Sequence, residues 1–129
     1  MTAALPAHRV GGQRSVRPFG IYVHVPFCAT RCGYCDFNTY TPAELGGANP
    51  DGWLDALRIE LEMAAAQLAS RDALPEVSTV FVGGGTPSML GGERLAAVLD
   101  AVRANFVLAA GAEVTTEANP ESTTPVLLD

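Results

Sequence analysis

The sequence predicts an α/β fold on a parallel sheet, and three observations carry that expectation. Strand-like stretches recur at "FGIYVHV", "VSTVFV" and "AEVTTEANP". Helical stripes of apolar residues lie between them, and a further helix start follows "EANP". The order is therefore strand, helix, strand, helix, strand, helix start, which implies parallel strands joined by right-handed crossovers. At 129 residues the chain fits one domain. Three strands cannot close a barrel, and an eight-fold one takes about 250 residues. They cannot finish a doubly wound sheet either, so residues 18–129 are expected to be the first three βα units, the N-terminal part, of a longer protein.

Each element has its own signal. In the first strand Ile21, Val23 and Val25 alternate with Tyr22 and His24, and Pro26 ends it. Residues 39–50 are rich in turn formers and read as a connection. The first helix has Asn49 as cap and Pro50 at its first position. Leu54, Leu57, Leu61, Ala64 and Leu68 form its stripe, Glu60 and Glu62 lie off it, and residues 72–76 break it. "VSTVFV" has so little polar character that burial on both faces is expected. Leu95, Val98, Leu99, Val102 and Phe106 mark the second helix, and Gly111 is expected to precede the third strand. Beyond Pro120, "STTPVLLD" reads as the start of a third helix.

Composition narrows the function classes. The apolar share of 48% is ordinary for a globular protein. No run approaches the roughly 18 apolar residues of a membrane helix, and the N-terminus lacks the apolar core of a secretory signal. Residues 1–17 read as a disordered arm. The net charge of −6 is unevenly spread: residues 1–35 carry four arginines and no acid, and the rest carry all 14 acids. So acidic a chain is not a general nucleic-acid binder. The local positive excess could meet an anionic ligand or lower thiol pKa values, or simply be a solvated tail.

All three cysteines fall in "PFCATRCGYCDF" as C-x-x-x-C-x-x-C: Cys28, Cys32 and Cys35. An odd count without an export signal speaks against a disulfide framework and for reduced thiols in a cytoplasmic setting. The cysteines follow a strand directly, where parallel α/β folds place their chemistry. Two metal readings stand open. His24 could complete a Cys3His zinc site, although it lies on the strand itself. Alternatively the three thiolates hold a 4Fe–4S cluster, leaving one iron open to an outside ligand. Three unrelated buried thiols at such spacing would be unusual.

Two more features are weaker alone. "GGGTP" at residues 83–87 could let backbone approach a ligand and offer it N–H and C=O groups, although a tight strand-to-helix turn explains it as well. Glu113, Thr115, Glu117 and Asn119 share one face of the third strand. Such a face lines a wet pocket or belongs to a solvated edge strand, and the pattern does not decide between them.

Together these features resemble the radical S-adenosylmethionine (SAM) superfamily: the three-cysteine motif with Tyr34 before its last cysteine, the glycine turn after the second strand, and an acid ending the third. The wider context, "YVHVPFCATRCGYCDF" with "FVGGGTPS" and "EANPES", is similar to the oxygen-independent coproporphyrinogen III oxidases and their HemW-like heme-chaperone relatives, from about Phe19 to the C-terminus.

The resemblance implies an α/β partial barrel and a set of roles. Cys28, Cys32 and Cys35 would ligate a 4Fe–4S cluster whose open iron chelates the amino and carboxylate groups of SAM. Tyr22 and Tyr34 would contact the nucleoside or the cluster, Gly84, Gly85 and Thr86 the methionine part, and Glu117 the ribose diol. His24 would tune the cluster through a hydrogen bond. The implied chemistry is one-electron: an external donor reduces the cluster, the sulfonium C–S bond breaks homolytically, and a 5′-deoxyadenosyl radical abstracts hydrogen. The oxidases carry a further cysteine two residues after the motif, where this chain has Phe37. That favours the HemW-like branch, with heme rather than a porphyrinogen as partner and its heme-ligand motif beyond Asp129. Taken alone, the chain is expected to be inactive, with no integral membrane segment.

Overall fold

The computed structural model describes residues 17–71 and 73–128. The expected arm and the breaker residue Asp72 therefore lie, all but Arg17, outside the described residues. The elements run β1 (Phe19–Val25), α1 (Pro50–Ala69), β2 (Val77–Gly84), a 3-10 turn (Pro87–Leu90), α2 (Gly92–Asn105), β3 (Leu108–Thr116), a second 3-10 turn (Pro120–Ser122) and α3 (Pro125–Leu128). The strands form one parallel sheet in the order β1-β2-β3.

The sheet faces differ because helices cover only one. Val23 and Val25 of β1 and Val77, Val80 and Val82 of β2 are buried against Leu54, Leu61 and Ala65 of α1 and Val98, Ala101 and Val102 of α2. The Asn49 side chain accepts the Gly52 N–H at 2.9 Å, so α1 starts as its cap dictates. Glu60 and Glu62 are exposed, as their place off the stripe requires.

Burial of β2 on both faces is not observed. Thr79 and Phe81 are exposed while Val80 and Val82 are buried. The opposite face carries a row of paired residues, Tyr22, Phe81 and Thr115, one from each strand. The apolar run "VFV" reads as two-sided because Phe81 is apolar, but its ring stacks on Tyr22 at a 5.9 Å centroid distance on the open side.

The third strand also departs from expectation. It begins at Leu108, upstream of Gly111, and not after that glycine. The register moves from Val77↔Leu108 to Thr79↔Glu113, so β3 carries extra residues opposite β2. Gly111 sits in this bulge at φ 76°, a left-handed conformation that glycine adopts freely. After Pro120 the chain makes a 3-10 turn, and the α-helical turn starts only at Pro125. Asn119 has left the strand face, since its side chain caps that turn by accepting the Glu121 N–H. Glu113 is exposed and Thr115 half-buried, on the side of the sheet that the helices leave open.

Candidate cofactor site

The loop after β1 is tied down at its base. Phe27 pairs with Tyr40: the Tyr40 N–H donates to Pro26 O at 2.8 Å and the Cys28 N–H to Tyr40 O at 3.0 Å. The twelve-residue excursion between them carries all three cysteines, none in a disulfide. Cys28 and Cys35 are half-buried and Cys32 is exposed. Arg31, itself half exposed, braces the loop, donating to Thr39 O at 2.8 Å and pairing with Glu44 at 3.5 Å. Glu44 in turn accepts the Thr41 N–H and hydroxyl, and these bonds, more than Arg31, hold its carboxyl below the usual range.

The glycine turn at the end of β2 closes against the same loop. The Gly85 N–H donates to Val25 O and the Thr86 N–H to Phe27 O, both at 2.7 Å. The Gly84 N–H donates to Glu117 Oε2 at 3.0 Å. So the three N–H groups expected to face a ligand are spent within the protein. What the glycines supply is proximity. A methyl group at Gly85 would strike Phe27 O and come 3.0 Å from Cys28 Sγ, and one at Gly84, at φ 113°, would come 2.8 Å from the His24 ring.

Glu117 lies one step past β3, where its N–H extends the ladder to Val82 O at 3.0 Å. The turn beyond it is fastened to the glycine turn by Ser88, buried at 4% exposure. The Ser88 hydroxyl oxygen accepts the Asn119 N–H at 3.0 Å and meets the Ser122 hydroxyl. Ser88 and Ser122 escape a sequence reading because serine next to a turn is commonplace; only their convergence is informative.

Cys28, Cys32, Tyr34, Cys35, Gly84, Gly85, Thr86 and Glu117 thereby line one open cleft of about 890 Å³ at the C-terminal end of the sheet. Tyr22 is not among its lining residues. Its hydroxyl is committed to His24 Nδ1 at 2.9 Å, and partial burial first and the Glu117 charge second hold its pKa above the usual value. His24 Nε2–H donates to Asn38 O at 2.7 Å. With both ring nitrogens engaged, His24 is not a free zinc ligand, so the Cys3His alternative finds no support. Among the described residues no three of His, Cys, Asp and Glu stand where they could share a single metal ion. Sulfurs bound to separate irons of a cube need no such common centre. Three free thiols at the mouth of a cleft, with Cys28 Sγ admitted close to the turn by Gly85, are a donor set that fits a cluster.

Comparison with known proteins accords with this arrangement. The model of the Radical SAM superfamily matches residues 22–129, and the chain belongs to that superfamily. Its members use a 4Fe–4S cluster, SAM and an electron donor. The chain is 73% identical over 70 residues to "Heme chaperone HemW" of Mycobacterium tuberculosis (strain H37Rv), a stretch covering 54% of this chain and 17% of that protein. It is 44% identical over 69 residues to the HemW of Escherichia coli K12, covering 54% and 17%. "Radical S-adenosyl methionine domain-containing protein 1, mitochondrial" of Bos taurus is 42% identical over 85 residues, covering 63% and 18%. Among solved structures, coproporphyrinogen III oxidase (HemN) from Escherichia coli superposes with a TM-score of 0.70 at 32% identity, over 84% of this chain and 24% of that one. The matched stretches are thus about a sixth to a quarter of their relatives' lengths.

Proposed function

We propose that residues 18–129 are the opening βα units of a radical SAM core in a HemW-like heme chaperone acting in the cytoplasm. The observation that carries this reading is the single cleft lined by the three cysteines, the glycine turn and Glu117. Cys28, Cys32 and Cys35 would hold a 4Fe–4S cluster, beside which SAM would bind. When bound, that cluster supplies the electron for reductive cleavage of the sulfonium. The chain's own residues bind and orient. With the N–H groups of Gly84–Thr86 spent and the Thr86 carbonyl taken by the Met89 N–H, the turn offers the Gly85 carbonyl oxygen, which suits the ammonium of the methionine part. Glu117 uses Oε2 on Gly84, and its remaining acceptor sites suit the ribose diol. Tyr34, 92% exposed on the cysteine loop, is free to fold over the nucleoside. Tyr22 acts one step removed, through His24, whose bond to Asn38 steadies the loop.

Heme as the partner is favoured by the HemW relatives and by Phe37 where the oxidases carry a further cysteine. A second reading, oxidative decarboxylation of coproporphyrinogen III, is favoured by the structural likeness to HemN. The full-length parent separates them. The heme-chaperone reading expects heme to be bound and passed to an apo-protein without vinyl formation from coproporphyrinogen. Sustained vinyl formation would overturn it. No helix among the described residues is long and apolar enough to cross a membrane.

A further inference from the structure

The geometry points to Thr39 as a positioning residue that sets the reduction potential of the cluster by donating a hydrogen bond to the Cys35 sulfur. This rests on the cluster reading above. Thr39 is 2% exposed, one of only two buried polar residues among those described. A buried hydroxyl needs a partner, because leaving it without one forfeits its hydration for nothing in return. The partner it has is Cys35 Sγ, 3.8 Å from Thr39 Oγ1. In a free thiol either atom could donate. A thiolate has only lone pairs, so once Cys35 is a ligand the hydroxyl must be the donor.

The backbone leaves Thr39 little freedom to do otherwise. Its N–H donates to Phe37 O at 2.8 Å, and its carbonyl accepts from Arg31 Nη2 at 2.8 Å. The next residue, Tyr40, is paired with Phe27 at the base of the loop. Thr39 is thus tied both to the strand end and to the residue before Cys32. Among the described residues no other side-chain hydroxyl is bonded to a cysteine sulfur. Reduction places added negative charge on the irons and their thiolates. A donor aimed at one thiolate stabilises the reduced form more than the oxidised form and raises the potential.

The test is a potentiometric titration, followed by EPR, of the anaerobically reconstituted chain and of Thr39→Val and Thr39→Ser. Valine keeps the branched shape and loses the hydroxyl; serine keeps the hydroxyl and loses the methyl. The expected result is a midpoint shifted to more negative potential in Thr39→Val and unchanged in Thr39→Ser, with equal iron and sulfide in all three. A cluster kept by Thr39→Ser and lost by Thr39→Val also supports the inference. An unshifted Thr39→Val, a Thr39→Ser that moves as far, or loss of the cluster from both variants overturns it, because the residue then acts through packing or not at all. If the wild-type chain itself takes up no iron and sulfide, the cluster reading has failed, and that is visible before any variant is compared.

Discussion

Gly84 and Gly85 show what a single missing side chain does here. Alanine at Gly84 would take a left-handed φ of 113° and press on the His24 ring and on Val25 O, 2.9 Å away. Strain of this kind costs about 1–3 kcal/mol. A denaturant melt of Gly84→Ala is expected to show at least that loss, while Gly33→Ala, with nothing within 4 Å of the added carbon, stays near neutral. The motif was legible in the sequence; its mode of action was not. Glycines after a strand suggest N–H and C=O groups presented to a ligand, but the N–H groups are taken by Val25 O, Phe27 O and the Glu117 carboxylate, partners that only strand pairing brings alongside. Cys32 is exposed, whereas Cys28 and Cys35 are half-buried. Cys32→Ala is expected to lose the cluster, since two thiolates hold a cube poorly; iron and sulfide at wild-type levels would contradict that. Thr39, by contrast, carries no signal in the sequence, because a threonine after a metal loop is informative only when its burial is known.

At the scale of elements, the α1 cap was readable because Asn-Pro has one good use at that place. Asn49→Ala is expected to cost about 1 kcal/mol in a thermal or denaturant melt. The start of β3 was not readable, because Gly111 has the same local signature as a turn and only pairing with β2 reveals a bulge. The bracing of the cysteine loop was hidden too, since Arg31, Thr41 and Glu44 meet only after the loop closes. It makes a pH prediction. The Glu44 carboxyl is held below its ordinary value of 4.5, first by the Thr41 N–H and hydroxyl. A carboxyl with a depressed folded pKa adds stability above its ordinary value, and that contribution is lost as pH falls through the lower folded value. Wild type should therefore outlast Glu44→Gln at neutral pH in paired melts, the difference closing on acidification below about 4. A gap that persists at low pH would show that the charge is not responsible.

For the molecule as a whole, alternation of strand and helix was enough to give a parallel sheet, and the sheet alone gathers three loops at one end. That is why eight of the ten residues given roles at the site meet in one cleft although they span positions 28 to 117. The other two, Tyr22 and His24, bond to each other and, through His24 Nε2, to Asn38 O outside that lining; facing the open side of a strand does not say how far along that face a ligand reaches. Covering one face of the sheet with helices and leaving the other open also explains why the apolar run of β2 misled. The most direct measurement is EPR of the anaerobically reconstituted, reduced chain before and after SAM is added. The account predicts an iron–sulfur signal whose shape changes when SAM occupies the open iron. A signal indifferent to SAM, or a colourless chain loaded with zinc, would contradict it.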